Sequence, residues 1–272
     1  MIDSHCHLDV AAFDADRREV LARAAAAGVH GMLIPAIRPR TWAALAALPA
    51  AHPSAPLAIA FGVHPHAVPE LDAAELATVT DLTRAIAAAR TPATVAVGEC
   101  GLDGGTADRA AQERIFRAHI RAARALRLPL IVHVVRAHDT APRILDEEGA
   151  AEVGGVMHSY SGSAELVAVY RDLGFAFSFA GAVTRANARR PLAAAVAVPD
   201  PLLLCETDAP DQAPGAAGRG GRSEPAMIGL VIAALARVRD RTPADLAALT
   251  VANAVRIFGV WPRSGCATDR TS

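Results

Sequence analysis

Short apolar runs alternate with alanine-rich stretches of helical period along almost the whole chain. The runs near Ile2–Cys6, His30–Pro35, Leu57–Gly62, Thr94–Glu99, Leu130–His133, Val153–His158, Phe175–Ala180 and Leu202–Thr207 predict strands. Most are apolar at consecutive positions, as parallel strands covered on both faces are. Between them the period becomes helical. The stretch Asp14–Ala27 stops at Gly28, and Asp108–Leu126 stops before Pro129, residues that end helices by a left-handed turn or by lacking the amide hydrogen. Two further helices, near Glu224–Arg239 and Pro243–Phe258, follow the last strand, with Thr242 as N-cap and Pro243 in the first helical position of the second. Eight βα units predict a (β/α)8 TIM-like barrel, a fold of about 250 residues. A doubly wound open sheet is the alternative, but no glycine-rich phosphate loop supports it. One domain over residues 1–260 is expected, with the polar, unpatterned residues 261–272 as a disordered tail.

The opening stretch IDSHCHLD places His5 and His7 two residues apart. In a strand both imidazoles point to one face and Cys6 to the other. Alone, such a pair is as readily two polar residues at a chain end as a metal site. Other strands decide the matter. His64 and His66 follow the third run, Glu99 ends the fourth, His133 the fifth, His158 the sixth and Asp208 the eighth. All of them fall at C-terminal strand ends, the active-site face of a (β/α)8 barrel. One histidine there is usually structural, but six strands serving one rim are not a chance pattern. Neutral imidazoles and carboxylates are the ligand set of Zn²⁺ and, less comfortably, Mn²⁺ or Mg²⁺. His5, His7, His133, His158, Glu99 and Asp208 exceed the needs of one tetrahedral ion. They suit two divalent ions about 3.5–4 Å apart with a bridging carboxylate and water, the arrangement of metal-assisted hydrolysis.

Composition narrows the chemistry further. The 272 residues carry a formal net charge of −1, so a broad basic surface for nucleic acid is excluded and any such contact is local. Seven Phe, two Trp and two Tyr leave no long base-stacking groove. Every basic residue is arginine, so neither a Schiff-base lysine nor a carbamylated lysine bridge is possible, and Glu99 is the natural bridge instead. Four scattered cysteines without CxxC spacing argue against a disulfide framework. With no apolar run of membrane-spanning length and no secretory signal, a cytoplasmic protein without membrane contact is expected.

The motifs SHCHLD, GVHPH, VGECGLD, QERIFRAHIRAARALRLPLIVH, GVMHSYSGS and CETDAPD, in this order over about residues 1–260, resemble those of the TatD family of metal-dependent hydrolases and deoxyribonucleases, which have the amidohydrolase-like barrel. The resemblance implies that His5, His7 and Asp208 bind one metal and His133 and His158 the other, with Glu99 bridging. It also implies that Asp208 orients or deprotonates the attacking water and that His64 lies near the scissile phosphate, with Asp208, Glu99 and His64 the catalytic set. His66 receives no definite role. Three departures bear on substrate. GLDG has Gly104 where the family has tyrosine, the family's histidine–serine–arginine is replaced by His133-Val134-Val135-Arg136, and its asparagine–glutamate–proline by Ser223-Glu224-Pro225.

Parity assigns Cys6, Cys100 and Cys205 to the core side of their strands, opposite the ligands. Glu206 shares the parity of Asp208 and, buried deeper, needs a partner. His30, His52, His119 and His138 read as ordinary residues away from the rim. Arg136, with Arg219 and Arg222 in the loop DAPDQAPGAAGRGGRSEP, are the candidate phosphate contacts. The favoured reading is a TatD-type deoxyribonuclease that cleaves phosphodiester bonds from single-stranded or frayed DNA ends with two-metal-activated water, without an obligatory protein partner. A hydrolase of small amides, esters or phosphodiesters, or a metal-binding scaffold whose catalysis has decayed, are the alternatives.

Overall fold

In the computed structural model, which describes residues 1–217, 220–259 and 261, seven parallel strands form one sheet in sequential order. They are β1 (Met32–Pro35), β2 (Leu57–Phe61), β3 (Thr94–Asp103), β4 (Leu130–Val135), β5 (Gly155–Met157), β6 (Phe175–Phe179) and β7 (Leu203–Cys205). The helices are α1 (Arg17–Ala26), α2 (Trp42–Ala51), α3 (Ala73–Thr80), α4 (Leu82–Ala89), α5 (Arg109–Leu126), α6 (Ala141–Glu147), α7 (Ala164–Asp172), α8 (Arg189–Ala197), α9 (Ile228–Val238) and α10 (Pro243–Phe258). The helix starts follow their caps. Asp108 accepts from the amide of Ala111 to open α5, and the Thr242 hydroxyl accepts from the amide of Asp245 to open α10.

The eighth strand position is filled irregularly. Residues 2–6, expected as the first strand, make only an isolated bridge between Asp3 and Met32. Their backbone nevertheless joins both edges of the sheet. Asp3 N–H donates to Gly31 (2.8 Å) and Cys6 N–H to Leu33 (2.9 Å) on the β1 side. Ser4 N–H donates to Cys205 (3.2 Å) and Asp208 N–H to His5 (2.9 Å) on the β7 side. The ladder is interrupted because the Asp3 carboxylate competes for it, accepting from the amides of His5 (3.3 Å) and Thr207 (2.9 Å). The fold is a (β/α)8-type parallel barrel with one irregular stave.

Two apolar layers follow from strand alternation. Leu33, Ala58, Ala60, Ala96, Ile131, Val156, Ala176 and Leu204 fill the barrel interior. The opposite faces, with Cys6, Cys100 and Cys205, pack in a second cluster with the surrounding helices, the side that parity gave the three cysteines. Alanines at four interior positions leave the barrel narrow, and its floor is closed by Phe258 and Trp261, which meet edge to face at 6.4 Å. Trp261 is therefore part of the barrel floor and not of a disordered tail, because a buried indole removes a large apolar area from water. Residues 262–272 of that expected tail lie outside the described residues.

His119, on α5, is fully buried and fixes the active-site face from behind. Its Nε2 accepts the amide hydrogen of Val63 at 2.9 Å, so Nδ1 carries the hydrogen and donates to the Ile115 carbonyl at 2.8 Å. Burial pushes its pKa down to about 4, from about 6.5 in an unfolded chain. Because the unfolded chain takes the proton first, this contribution is complete above pH 6.5, is lost as pH falls towards 4, and is level below. His119→Leu is expected to cost about 1–3 kcal/mol at neutral pH by orphaning the Val63 amide. It should also flatten the fall in stability between pH 6.5 and 4, as urea unfolding at several pH values will show.

Candidate metal centre

Glu99 reaches the barrel interior through an interruption of its strand. Pairing of β3 with β4 runs from Val97↔Leu130 to Cys100↔Val132, so β3 uses one residue more than its partner. Strict alternation from the interior Ala96 would send Glu99 outward with Val97. The extra residue reverses the parity, and beyond it Cys100 and Leu102 face the helices. Gly98 makes this possible. It sits at φ +144°, and a Cβ there would lie 2.6 Å from the Ile131 carbonyl oxygen.

The Glu99 carboxylate then stands among five imidazoles. Its Oε2 lies 3.1 Å from His5 Nε2 and 3.4 Å from His7 Nε2, which are themselves 3.2 Å apart. Asp208 Oδ1 completes this group, 3.6 and 3.8 Å from the same two nitrogens. Its Oε1 lies 2.7 Å from His158 Nε2, 3.1 Å from His133 Nδ1 and 3.0 Å from His64 Nε2. The structure thus brings all six expected ligands together in two donor groups that share one carboxylate, and it puts His64 in the second.

These spacings fit cations. Donors tetrahedrally placed about 2.0–2.1 Å from a Zn²⁺ are about 3.3 Å from one another, close to the gaps seen in both groups. Hydrogen bonding satisfies the cluster poorly by contrast. Glu99 Oε2, His5 Nδ1 and His158 Nδ1 are buried without a hydrogen-bond partner, and protonating several buried imidazoles around one carboxylate is costly. Burial alone would push the Glu99 carboxyl up. The imidazoles around it, His158 first, overcome this and hold it well below the usual carboxylate range. Burial pushes His64 down to about 4 against the pull of Glu99, so its ring is neutral and able to ligate.

A ligating imidazole needs its other nitrogen tied down. Asp103 does this for His133 and was overlooked in the sequence, because it lies past the expected end of its strand. Its carboxylate is 3.2 Å from His133 Nε2 and 2.6 Å from His66 Nε2, while its second oxygen accepts from the Gly105 amide at 2.6 Å. The hydrogen bond from His133 is the main reason that the Asp103 carboxyl is held below its usual range. Ionised, it only accepts, so His133 carries its hydrogen on Nε2 and turns a free Nδ1 towards Glu99. His66, exposed on the rim, joins this pair and not the donor groups. The Pro35 carbonyl lies 3.3 Å from His7 Nδ1. Glu206 is tied to the Ser178 hydroxyl (2.5 Å) and the Ser159 amide (2.6 Å) and lies 3.5 Å from His158 Nδ1. It is the one carboxylate grouped with the inner sides of His5 and His158.

The family profile described as "TatD related DNase" matches residues 2–259. The chain belongs to the TatD family. Among its TatD-family relatives, a protein of Bacillus subtilis (strain 168) named "Uncharacterized metal-dependent hydrolase YabD" is 32% identical over 263 residues, 96% of this chain and 99% of that protein. The "3'-5' ssDNA/RNA exonuclease TatD" of Citrobacter rodentium is 33% identical over 274 residues, 97% of this chain and 100% of that protein. The crystal structure of YJJV, a TatD homologue from Escherichia coli K12, superposes with a TM-score of 0.86 at 30% identity, covering 96% of this chain and 98% of that one. This TatD-family chain is a metal-dependent hydrolase.

An open cleft of about 830 Å³, lined in part by Arg185, Asn187, Gln212 and Arg222 but by none of the donor-group residues, lies on the same side. Gln212 donates to Asp208 Oδ2 at 2.7 Å, which joins cleft and centre. Arg222 is not free as expected. Its guanidinium is engaged by Asp16 (2.6 and 2.8 Å) and Glu224 (2.8 Å) and lies over the Phe13 ring at 4.8 Å. Those acids neutralise the charge a phosphate would need, and Asp16 is too distant in sequence to be seen there. Arg219 lies outside the described residues. Arg136 is exposed after β4 without an acidic partner among the described residues, and so is Arg185, which the sequence did not single out because nothing near it marks a motif.

Asp103→Ala is expected to weaken divalent-metal binding about 10–100-fold, whereas His66→Ala leaves it nearly unchanged. Competition of the metal-stripped proteins against a chromogenic chelator measures both.

Proposed function

We propose that the chain is a deoxyribonuclease of the TatD kind, hydrolysing phosphodiester bonds at single-stranded or frayed DNA ends with two divalent ions. The observation that carries the reading is the single Glu99 carboxylate with one oxygen in each of two donor groups. His5, His7 and Asp208 would hold one ion and His133 and His158 the other, with Glu99 common to both. The ions would supply Lewis acidity, making water nucleophilic near neutral pH and neutralising charge on the phosphoryl oxygens.

The chain's own groups do the rest. Asp208, only slightly exposed, has one oxygen beside His5 and His7 and the other held by Gln212, a fixed carboxylate that can orient the attacking water and take its proton. His64, neutral and backed through Val63 by His119, stands at the mouth of the second group, where a phosphoryl oxygen would arrive. Arg136 and Arg185 are exposed cations there without an acidic partner among the described residues. With so few phosphate contacts and a net charge of −1, the ions themselves must hold the scissile phosphate, which favours an end over a long duplex. The exonuclease activity named for the Citrobacter relative supports the same substrate class.

The test is turnover of single-stranded oligonucleotide, closed circular DNA and small esters with Mg²⁺, Mn²⁺ or Zn²⁺ supplied separately, alongside elemental analysis. We expect two ions per chain, cutting of the linear strand only, and a shallow salt dependence of kcat/KM, about −0.7 per phosphate contact. Efficient cutting of the circle would refute end trimming. Brisk ester hydrolysis with no DNA cut would refute the nuclease. Glu99→Gln is expected to lower kcat by on the order of 10²–10³, more than His133→Ala does, because only Glu99 serves both groups. Retained kcat in Glu99→Gln at saturating metal would exclude it as the bridge.

A further inference from the structure

The same rim holds a second, smaller cavity that the hydrolytic groups do not use. It is a slot of about 240 Å³ beside the ends of β4, β5 and β6, walled by Val135, Tyr160, Phe179, Val183 and Pro191. Its polar edge is formed by Ser159, Ser161 and Gln212. Ser159 directly follows His158, and Gln212 is bonded to Asp208. The slot therefore borders both donor groups of the metal centre.

Its chemistry is specific. The Tyr160 hydroxyl donates to the Ser163 carbonyl at 2.9 Å, so the tyrosine offers the slot its ring and not its hydroxyl. Gln212 donates to the Ser159 hydroxyl oxygen, which leaves the Ser159 hydrogen available as a donor. Gln212 Oε1 makes no hydrogen bond among the described residues and remains an acceptor. The Ser161 hydroxyl spends its hydrogen on the Val134 carbonyl, and the remaining donor of Ser159 and acceptor of Gln212 at the edge of an apolar, ring-lined slot match the edge of a planar heterocycle. Drug-sized ligands occupy about 300–1,000 Å³, so this slot takes a single ring system and nothing larger. A phosphate gains nothing from apolar walls.

We propose that the slot receives one nucleobase, that of the nucleotide adjoining the scissile phosphate. The assignment rests on the nuclease reading above. A chain with so few aromatics would thereby place one of its two tyrosines where a single ring contact positions the bond to be cut. Contact through a ring face or edge tolerates any base, so little sequence preference accompanies it.

The experiment compares wild-type protein on single-stranded oligonucleotides that end in a normal nucleotide or in an abasic residue, at either terminus. Both substrates offer the same phosphates. We expect KM for the strand with an abasic residue at the attacked end to rise about tenfold, within the range of base–aromatic contacts. Ala182→Phe, which fills the slot from its partly exposed wall and touches no donor group, should raise KM on the normal strand by a similar factor and leave the abasic strand unchanged. Equal KM for wild type on both strands overturns the proposal without any variant. Equal loss on both strands in Ala182→Phe, with an unchanged melting temperature, overturns it too. If neither strand is cut while small esters are, the nuclease reading falls and the base assignment falls with it.

Discussion

Everything at the top of the barrel is arranged around one ionised carboxylate in a place where a carboxylate alone would be unstable. Glu99 is fully buried, and moving an unpaired charge to such a position costs several kcal/mol. Five imidazoles close on it from strands and loops far apart in sequence. Its position depends on the extra residue in β3, since a regular strand would turn it outward against the helices. The glycines around it serve the same end. Gly98 lies against the Ile131 carbonyl, and at Gly101, with φ +138°, a Cβ would come within 1.9 Å of the His133 carbonyl oxygen. β3 and β4 can approach closely enough to set Glu99 beside His133 only because no side chain intervenes.

Around this charge the barrel sets a layer of neighbours on the far sides of the imidazoles, and at His133 the neighbour decides which nitrogen is free. Asp103 takes the outer side of His133, the Pro35 carbonyl lies against His7, and Glu206 lies under His158 and His5. The protein thereby fixes orientation as well as charge, and a ligand whose ring cannot turn loses little entropy when a cation arrives. Asp3 plays the corresponding part for the backbone. By accepting from the His5 and Thr207 amides and from the Thr207 hydroxyl, it ties the chain's first residues to those preceding Asp208. The irregular stave that results is the cost of bringing His5, His7 and Asp208 to one point.

The sequence made the ligand set legible because a (β/α)8 barrel collects strand ends on one face, and six chemically consistent residues at six such ends leave little freedom. Parity placed the cysteines well for the same reason: a period of two survives wherever the strand is regular. It does not survive at Glu99, where a register shift invisible in composition reverses the alternation, nor at residues 2–6, where an aspartate side chain replaces ladder bonds. Asp103 and His119 were missed or read as ordinary because their roles are second contacts, set by distances of 37 and 56 residues to His66 and Val63. Arg222 was misread because one of its two acids, Asp16, lies 206 residues away. Local pattern encodes elements and ligands; it does not encode who neutralises whom.

The remaining division of labour follows from charge. A protein with a net charge of −1 has no long-range field with which to gather a polyanion. Recognition must then be concentrated within a few ångströms of the hydrolytic groups, where low dielectric makes each contact strong. Under the proposed nuclease reading the rim would supply that in three distinct forms: cations between the two donor groups for the phosphate, Arg136 and Arg185 for its neighbours, and an apolar slot whose Gln212 is bonded to Asp208. Because Gln212 touches both Asp208 and the slot, whatever fills the slot shares a hydrogen-bonded residue with the carboxylate nearest the attacking water. In that reading binding and positioning would be coupled through that one amide, and a small, weakly charged site could align a flexible strand without gripping its length.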